Sequence, residues 1–424
     1  MTKIINRPEL LAPAGDLERL KWAFRYGADA VYLGGNLFSL RANANNFTLD
    51  DINEGVKFAH DLNKKVYVTV NIVLHNEEIK KIKDYLIELD KIGVDAIIIS
   101  DPAIIPIVKE NTNLEIHLST QACTLNYESV DFWKKQGVTR IVLGREVTKE
   151  EIIEIKKRVD IEIECFIHGA MCASYSGRCV LSNFLTARDS NRGGCSQICR
   201  WDFDLLDSNN NKLQGEKDFT FCTKDLSLLK YIPDMVDIGV NSFKIEGRMR
   251  SLYYVATIVD TYRRVIDEYC NNPNNYTYNE DYERVLRNCA NRDSVTQFFN
   301  NVNDESCQYY NGREEVSNQD FLGIILDYDK ENKIAVVEQR NYFKKGDEVE
   351  IFGPTHEPIT ILINKIIDEN NDEIDVVRHP RQIVKIGINE EVFPYDLIRI
   401  KKSKKMIWQI PKSVVSFDRF VIKI

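Results

Sequence analysis

The chain has 424 residues, 43% hydrophobic and 29% charged, an ordinary globular balance with room for two or three domains. Its net charge of −9 argues against broad, non-specific nucleic-acid binding, which needs a basic footprint. No run of 18 apolar residues is present to span a membrane, and MTKIINRPELLAPAG holds no signal-peptide core, so the sequence reads as cytoplasmic, its ten cysteines reduced.

Eight β-rich runs follow one another through the first 270 residues: ELLAP (9–13), AVYLG (30–34), KVYVTVN (65–71), AIIIS (96–100), EIHLST (115–120), RIVLG (140–144), IEIECFIHG (161–169) and SFKIEG (242–247). Amphipathic helical patterns such as DLERLKWAFRYGA and NEEIKKIKDYLIELDKIG lie between them. Strands alternating with helices of about a dozen residues mean parallel βα units, and eight of them suit a (β/α)8 barrel. An open doubly wound sheet is the alternative, but no GxGxxG follows the first strand. Barrel chemistry sits at the C-terminal strand ends. The candidates there are Asn71, Ser119, Thr120, Gln121, Arg145, Glu146, His168, Glu246 and Arg248.

After the seventh run the expected short loop is replaced by an insertion over 170–223. Long loops inside compact domains are usually functional. This one carries Cys172, Cys179, Cys195 and Cys199 in the spacing C-x6-C-x15-C-x3-C. The first pair is too wide for a zinc ribbon, and four thiolates suit an iron–sulfur cluster of the [4Fe–4S] type, whose ligand spacing is looser. Zinc, or no metal at all, remains the alternative on spacing alone. Cys222, at the end of the insertion, is a fifth candidate and an alternative fourth ligand. The other five cysteines are scattered and read as packing residues. Locally the charge balance reverses. Residues 170–202 carry four Arg against two Asp, and residues 240–264 carry one Lys and four Arg against one Asp and one Glu.

Residues 271–317 are Asn-rich and polar and read as a linker with one helix around DYERVLRN. From 318 to 424 the pattern turns to period two, in FLGIILDYD, KIAVVEQ, GDEVEIFGP, PITILINKII and DLIRIKK, which indicates a small all-β barrel. Its basic run RIKKSKK (399–405) reads as a solvated surface or a backbone-contacting arm.

The segment Glu164 to Ser182, ECFIHGAMCASYSGRCVLS, resembles the signature of the collagenase-like peptidase family of unassigned catalytic type. ELLAPAG (9–15), GADAVYLGG (27–35), STQ (119–121), GGCSQICRW (193–201), TKDL (223–226) and KIEGRMRSLYYV (244–255) match in order. The likeness covers essentially the whole chain and is most similar to the branch of prephenate-dependent tRNA uridine hydroxylation proteins. That resemblance implies 5-hydroxyuridine formation at the wobble position, an iron–sulfur centre on Cys172, Cys179, Cys195 and Cys199, and prephenate as co-substrate. Relatives more often have Ser where this chain has Cys222. A sister branch acts on a cytidine of ribosomal RNA.

Prephenate is a small dicarboxylate, and arginine forks are its natural ligands. Arg145, Arg178 and Arg248, with Asn71, are therefore expected to bind substrate, and His168, Glu246 and Gln121 to serve catalysis. The tRNA anticodon loop is the expected partner, because an unpaired base is splayed into a pocket at little cost. A paralogous subunit or a second copy of the chain is a further candidate partner, and a membrane is not. Peptide hydrolysis is the competing activity, although HExxH and GxSxG are absent. A non-catalytic RNA-binding factor with a structural metal is the third reading.

Overall fold

Strand β1 (Glu9–Pro13) and helix α1 (Leu17–Arg25) begin a series continued by β2 (Ala30–Gly34), α2 (Leu49–Asp61), β3 (Lys65–Val70), α3 (Asn76–Ile92), β4 (Ala96–Ile99), α4 (Ile104–Asn111), β5 (Glu115–Leu118), α5 (Tyr127–Lys135), β6 (Arg140–Val142), α6 (Lys149–Arg158) and β7 (Glu162–Gly169). The insertion then contributes α7 (Leu181–Thr186) and β8 (Phe203–Leu206). After β9 (Asp225–Ser227) and α8 (Ile232–Ile238) come β10 (Ser242–Ile245) and α9 (Leu252–Asn271). This computed structural model describes residues 6–40, 46–213, 219–290, 292–301, 303–309, 316–317, 321–401, 406–407 and 420–423.

Strands β1 to β7 pair in parallel, each with the next, and β10 bonds both β7 and β1, which closes an eight-stranded barrel. All eight β-rich runs of the sequence are found in it. Side chains fix the helix starts by accepting orphan backbone N–H groups. Asp16 caps α1, and Thr48 with Asp51 and Thr148 with Glu151 form capping boxes on α2 and α6. Gly93 ends α3 in the left-handed conformation at φ 88°.

The barrel's interior is half apolar and half ionic. Leu11, Ala30, Tyr32, Tyr67, Ala96 and Ile98 form one buried cluster. Packed against its tyrosines, Lys244 Nζ donates to Glu164 at 2.7 Å, and Glu164 lies 3.4 Å from Arg140. Arg140 also bonds Glu9 at 2.6 Å.

Helix α10 (Asp281–Cys289) and β11 (Ser294–Val295) occupy the polar stretch. Leu286, Cys289 and Phe299 are buried in the main core and β11 pairs with β9, so this stretch is a packed element rather than a tether. Strands β12 (Val316–Ser317), β13 (Phe321–Asp329), β14 (Ile334–Gln339), β15 (Phe343–Lys344), β16 (Glu348–Gly353), β17 (His356–Leu362), β18 (Ile366–Ile367), β19 (Val376–Val377), β20 (Ile383–Gly387), β21 (Leu397–Ile400), β22 (Met406–Ile407) and β23 (Phe420–Lys423) complete the chain. Seven of them form one antiparallel sheet, β17-β16-β21-β13-β14-β20-β18, over a core that includes Ile325, Val337, Ile351 and Ile398. Tyr253 stacks on Phe321 at 4.8 Å and joins this all-β unit to the barrel. Strand β23 returns to pair in parallel with β8 of the insertion.

The basic run at 399–405 divides. Arg399 turns inward onto Glu350, with an Nε–Oε1 distance of 2.7 Å, because β21 is an inner strand of the sheet. Lys401 pairs with Glu348 at 3.2 Å, and residues 402–405 lie outside the described residues. Among the described residues no helix is long and apolar enough to cross a membrane.

Candidate active site at the barrel mouth

The insertion lies across one side of the mouth and is fastened at two points in its first half. Ser176 N–H donates to Glu146 Oε1 at 3.0 Å, after β6. Thr120 Oγ1, after β5, is 3.2 Å from Ser176 Oγ. Gly177 makes that approach feasible. A Cβ there would meet the Gln121 carbonyl oxygen at 2.3 Å, and its φ of +69° disfavours any L side chain. At the other fastening, Arg192 bonds the Val73 carbonyl at 2.6 Å and pairs with Glu78 at the start of α3.

Three thiols, those of Cys172, Cys195 and Cys222, neighbour that of Cys199. The Cys199 thiol is pushed up to about 11 by burial and by the neighbouring thiols of Cys172, Cys195 and Cys222, which outweigh Arg200. Cys222 is buried, and the Tyr309 N–H donates to its carbonyl at 2.8 Å. The Cys179 carbonyl accepts from Asn191 Nδ2 at 3.1 Å. Every one of these cysteines is free of disulfides. Among the described residues no three His, Cys, Asp or Glu side chains already stand as a metal site. The donor set nonetheless fits a soft metal centre in kind, because Cys199 has three further thiols in its neighbourhood.

Around the mouth, the expected residues separate into three groups. Arg145, His168 and Glu246 come together at the ends of β6, β7 and β10. Arg145 lies 3.9 Å from Glu246 Oε2 and 3.9 Å above the Phe166 ring. The Tyr32 hydroxyl, 3.0 Å from the Ile245 carbonyl, also lies 3.2 Å from Glu246 Oε2. His168 is fully enclosed, with Nδ1 3.3 Å from the Tyr262 hydroxyl. That hydroxyl donates its single proton to the Ile167 carbonyl at 2.9 Å. His168 Nδ1 therefore acts as donor, and Nε2 is left as an acceptor. Burial, with the charge of Arg250, drives the ring down to about 3, so His168 is neutral at physiological pH.

Asn71 and Gln121 form the second group, near Ser119. Asn71 Nδ2 is 3.4 Å from Ser119 Oγ. Gln121 Oε1 is buried with no hydrogen-bond partner. The third group stands apart. Arg178 is exposed on the insertion. Arg248 is 6% exposed and turned into the fold, where it bonds Ser39 at 3.1 Å, Thr69 at 3.2 Å and the Leu40 carbonyl.

Sequence reasoning missed a cluster around Asp225. This carboxylate, 3% exposed on β9, is 2.9 Å from Arg292 and 3.4 Å from Arg250. Arg200 and Arg145 act on it from further away. Burial nevertheless wins and raises the Asp225 carboxyl above its usual range. The TKDL motif was the one signal for Asp225. Arg292 comes from 67 positions further along the chain, where no spacing rule reaches.

A model of Peptidase family U32 matches residues 15–308, and that family's C-terminal domain matches residues 317–399. The chain is 50% identical to "tRNA hydroxylation protein P1" of Bacillus subtilis, over 93% of this chain and 95% of that one. It is 40% identical to the "23S rRNA 5-hydroxycytidine C2501 synthase" of Escherichia coli over 63% of this chain and 40% of that one. It is 31% identical to a "Collagenase" of Porphyromonas gingivalis over 95% of this chain and all of that one. With both of that family's domains matched in order and half of all residues shared with a full-length relative named for tRNA hydroxylation, the chain belongs to Peptidase family U32.

Proposed function

We propose that this chain is an RNA-modifying enzyme that forms 5-hydroxyuridine at the wobble position of tRNA, with prephenate as co-substrate. The full-length likeness to a tRNA hydroxylation protein carries this reading. The mouth supports it. Gln121 offers a buried, unpaired acceptor, which is what a uracil N3–H needs. Phe184 and Tyr175 on the insertion are 82% and 57% exposed, beside exposed Arg178 and Arg188. Aromatic faces interleaved with arginine suit an unpaired RNA loop on an otherwise acidic protein.

Cys172, Cys179, Cys195 and Cys199 are the thiolates we assign to a [4Fe–4S] cluster, with Cys222 as the alternative ligand. Zinc is the alternative metal. When bound, an iron–sulfur cluster supplies an electron-transfer or Lewis-acid centre. The chain's own residues do the rest. Glu246, beside Tyr32, is the group placed to move a proton, while neutral His168 presents Nε2 as an acceptor.

The test is nucleoside mass spectrometry of tRNA from a strain lacking the gene and any paralogue. Wobble 5-hydroxyuridine should vanish and return with the wild-type chain, but not with Gln121→Leu or Cys199→Ser. Undiminished 5-hydroxyuridine in the deletion strain refutes the reading. Anaerobically purified protein should be brown, and Cys199→Ser should lose most of its iron. The second reading, peptide hydrolysis, draws on the relative named as a collagenase. It requires cleavage of peptides by the iron-reconstituted protein and its loss in Cys172→Ser.

A further inference from the structure

The arginines around Asp225 outnumber their partners. Arg250 and Arg292 hold Asp225 and Arg145 lies beside Glu246, so three guanidiniums face two carboxylates, while Arg200 acts on Asp225 from further away and donates to Gln197 Oε1 at 2.7 Å. Arg292 is 6% exposed, and its Nη1 is buried with no hydrogen-bond partner. An unmade charged hydrogen bond in a buried place is costly unless a ligand completes it. The cluster is open on one side, where the Arg250 and Arg145 side chains keep 24% and 13% of their surface. Arg200 sits next to Cys199 in the chain, and the Arg250 guanidinium lies 5.0 Å over the Tyr254 ring, which packs 6.0 Å from His168. The cluster therefore bridges the thiol loop and the barrel mouth. An apolar cavity adjoins it, lined by Arg145, Phe166, Leu226, Leu228, Met235 and Phe299.

We propose that Arg145, Arg250 and Arg292 form a subsite for a small organic dicarboxylate, held by its two carboxylates. Forked guanidiniums match carboxylates in pairs, and three guanidiniums with an unused Arg292 donor can engage the two ends of a dianion where a monoanion engages one. This deepens the function proposed above. It moves co-substrate recognition from Arg178 and Arg248 to Arg250 and Arg292, because Arg248 is fully engaged inside the fold and Arg178 is exposed on the insertion.

Calorimetric titration of the full chain tests the subsite, with prephenate, succinate and the monocarboxylate phenylpyruvate as probes and with tRNA binding followed in parallel. Both dicarboxylates should bind, and phenylpyruvate should bind about tenfold more weakly. Arg250→Gln and Arg292→Gln should each weaken dicarboxylate binding about tenfold or more without changing tRNA affinity. Arg250→Lys should lie between. If Arg292→Gln fails to fold, the partly exposed Arg250 carries the test alone. The proposal is overturned if neither dicarboxylate binds the folded protein, or if Arg250→Gln binds both as the wild type does. It is equally overturned if that variant weakens only tRNA binding, which would make the ligand an RNA phosphate. Succinate binding through Arg250 without prephenate binding would keep the subsite and refute prephenate as the co-substrate.

Discussion

The barrel holds two ionic clusters built from the same residue types, and they are balanced in opposite senses. Inside the strands, Arg140 and Lys244 face Glu9, Glu162 and Glu164, so carboxylates exceed cations. Glu9 gathers Tyr67 at 2.6 Å, Ser242 at 2.9 Å and Arg140 at 2.6 Å. At the mouth, three guanidiniums face two carboxylates, and a buried Arg292 donor and the Asp225 Oδ1 acceptor stay without a hydrogen bond. The carboxyl groups respond accordingly. Burial pushes Glu164 up, but Lys244, Arg140 and His117 outweigh it and hold Glu164 below its usual range. Burial at Asp225 outweighs its arginines. Closure and an excess of carboxylates mark the inner cluster as structural, with only the His117 ring nitrogens beside it left without a hydrogen bond among the described residues, and surplus cationic charge with an open side marks the outer one as a place for a ligand.

Breaking the inner cluster should produce the largest effect. Glu164→Gln leaves Lys244 and Arg140 short of a buried counter-charge, and losing one partner of a buried ion pair costs about 3–5 kcal/mol. Denaturant unfolding should show that loss, and an unchanged midpoint would refute a structural role for the cluster.

His168, between the two clusters, gives the next effect, and it depends on pH. Its folded value of about 3 lies below the usual 6.5. The unfolded chain therefore binds the proton first. The stabilisation is present above about pH 6.5 and is lost progressively as pH falls towards 3. Between pH 7 and pH 5 the chain should lose about 2 kcal/mol through this one group. His168→Gln should flatten that part of the stability profile, and an equally steep profile in the variant would show that the ring is not buried neutral.

The strands were legible because parallel strands buried on both faces read as continuous apolar runs, and the caps between them are local signals. The insertion's thiols were legible by composition. Side-chain direction was not. Arg248 follows a barrel strand, as substrate ligands do, yet its fork closes on Ser39, Thr69 and Leu40. Glu164 and Lys244 left a weak trace, as charges at alternate positions inside otherwise apolar strands. Arg292 left none, because the polar stretch that carries it reads as a linker until β11 is seen beside β9.

The smallest stability effect should come from Arg250, and that is what separates the two clusters most sharply. Its side chain is 24% exposed and contacts Asp225 at 3.4 Å, while Arg292 holds the same carboxylate at 2.9 Å. Partial exposure screens the pair, and Asp225 keeps a partner without it. Arg250→Gln should therefore shift unfolding by less than about 1 kcal/mol. Because it also removes one surplus charge, the same variant should lose dicarboxylate affinity. A structural arginine would show the reverse pattern, with a large loss of stability and unchanged binding, so one substitution read by two measurements assigns Arg250 to the fold or to the ligand.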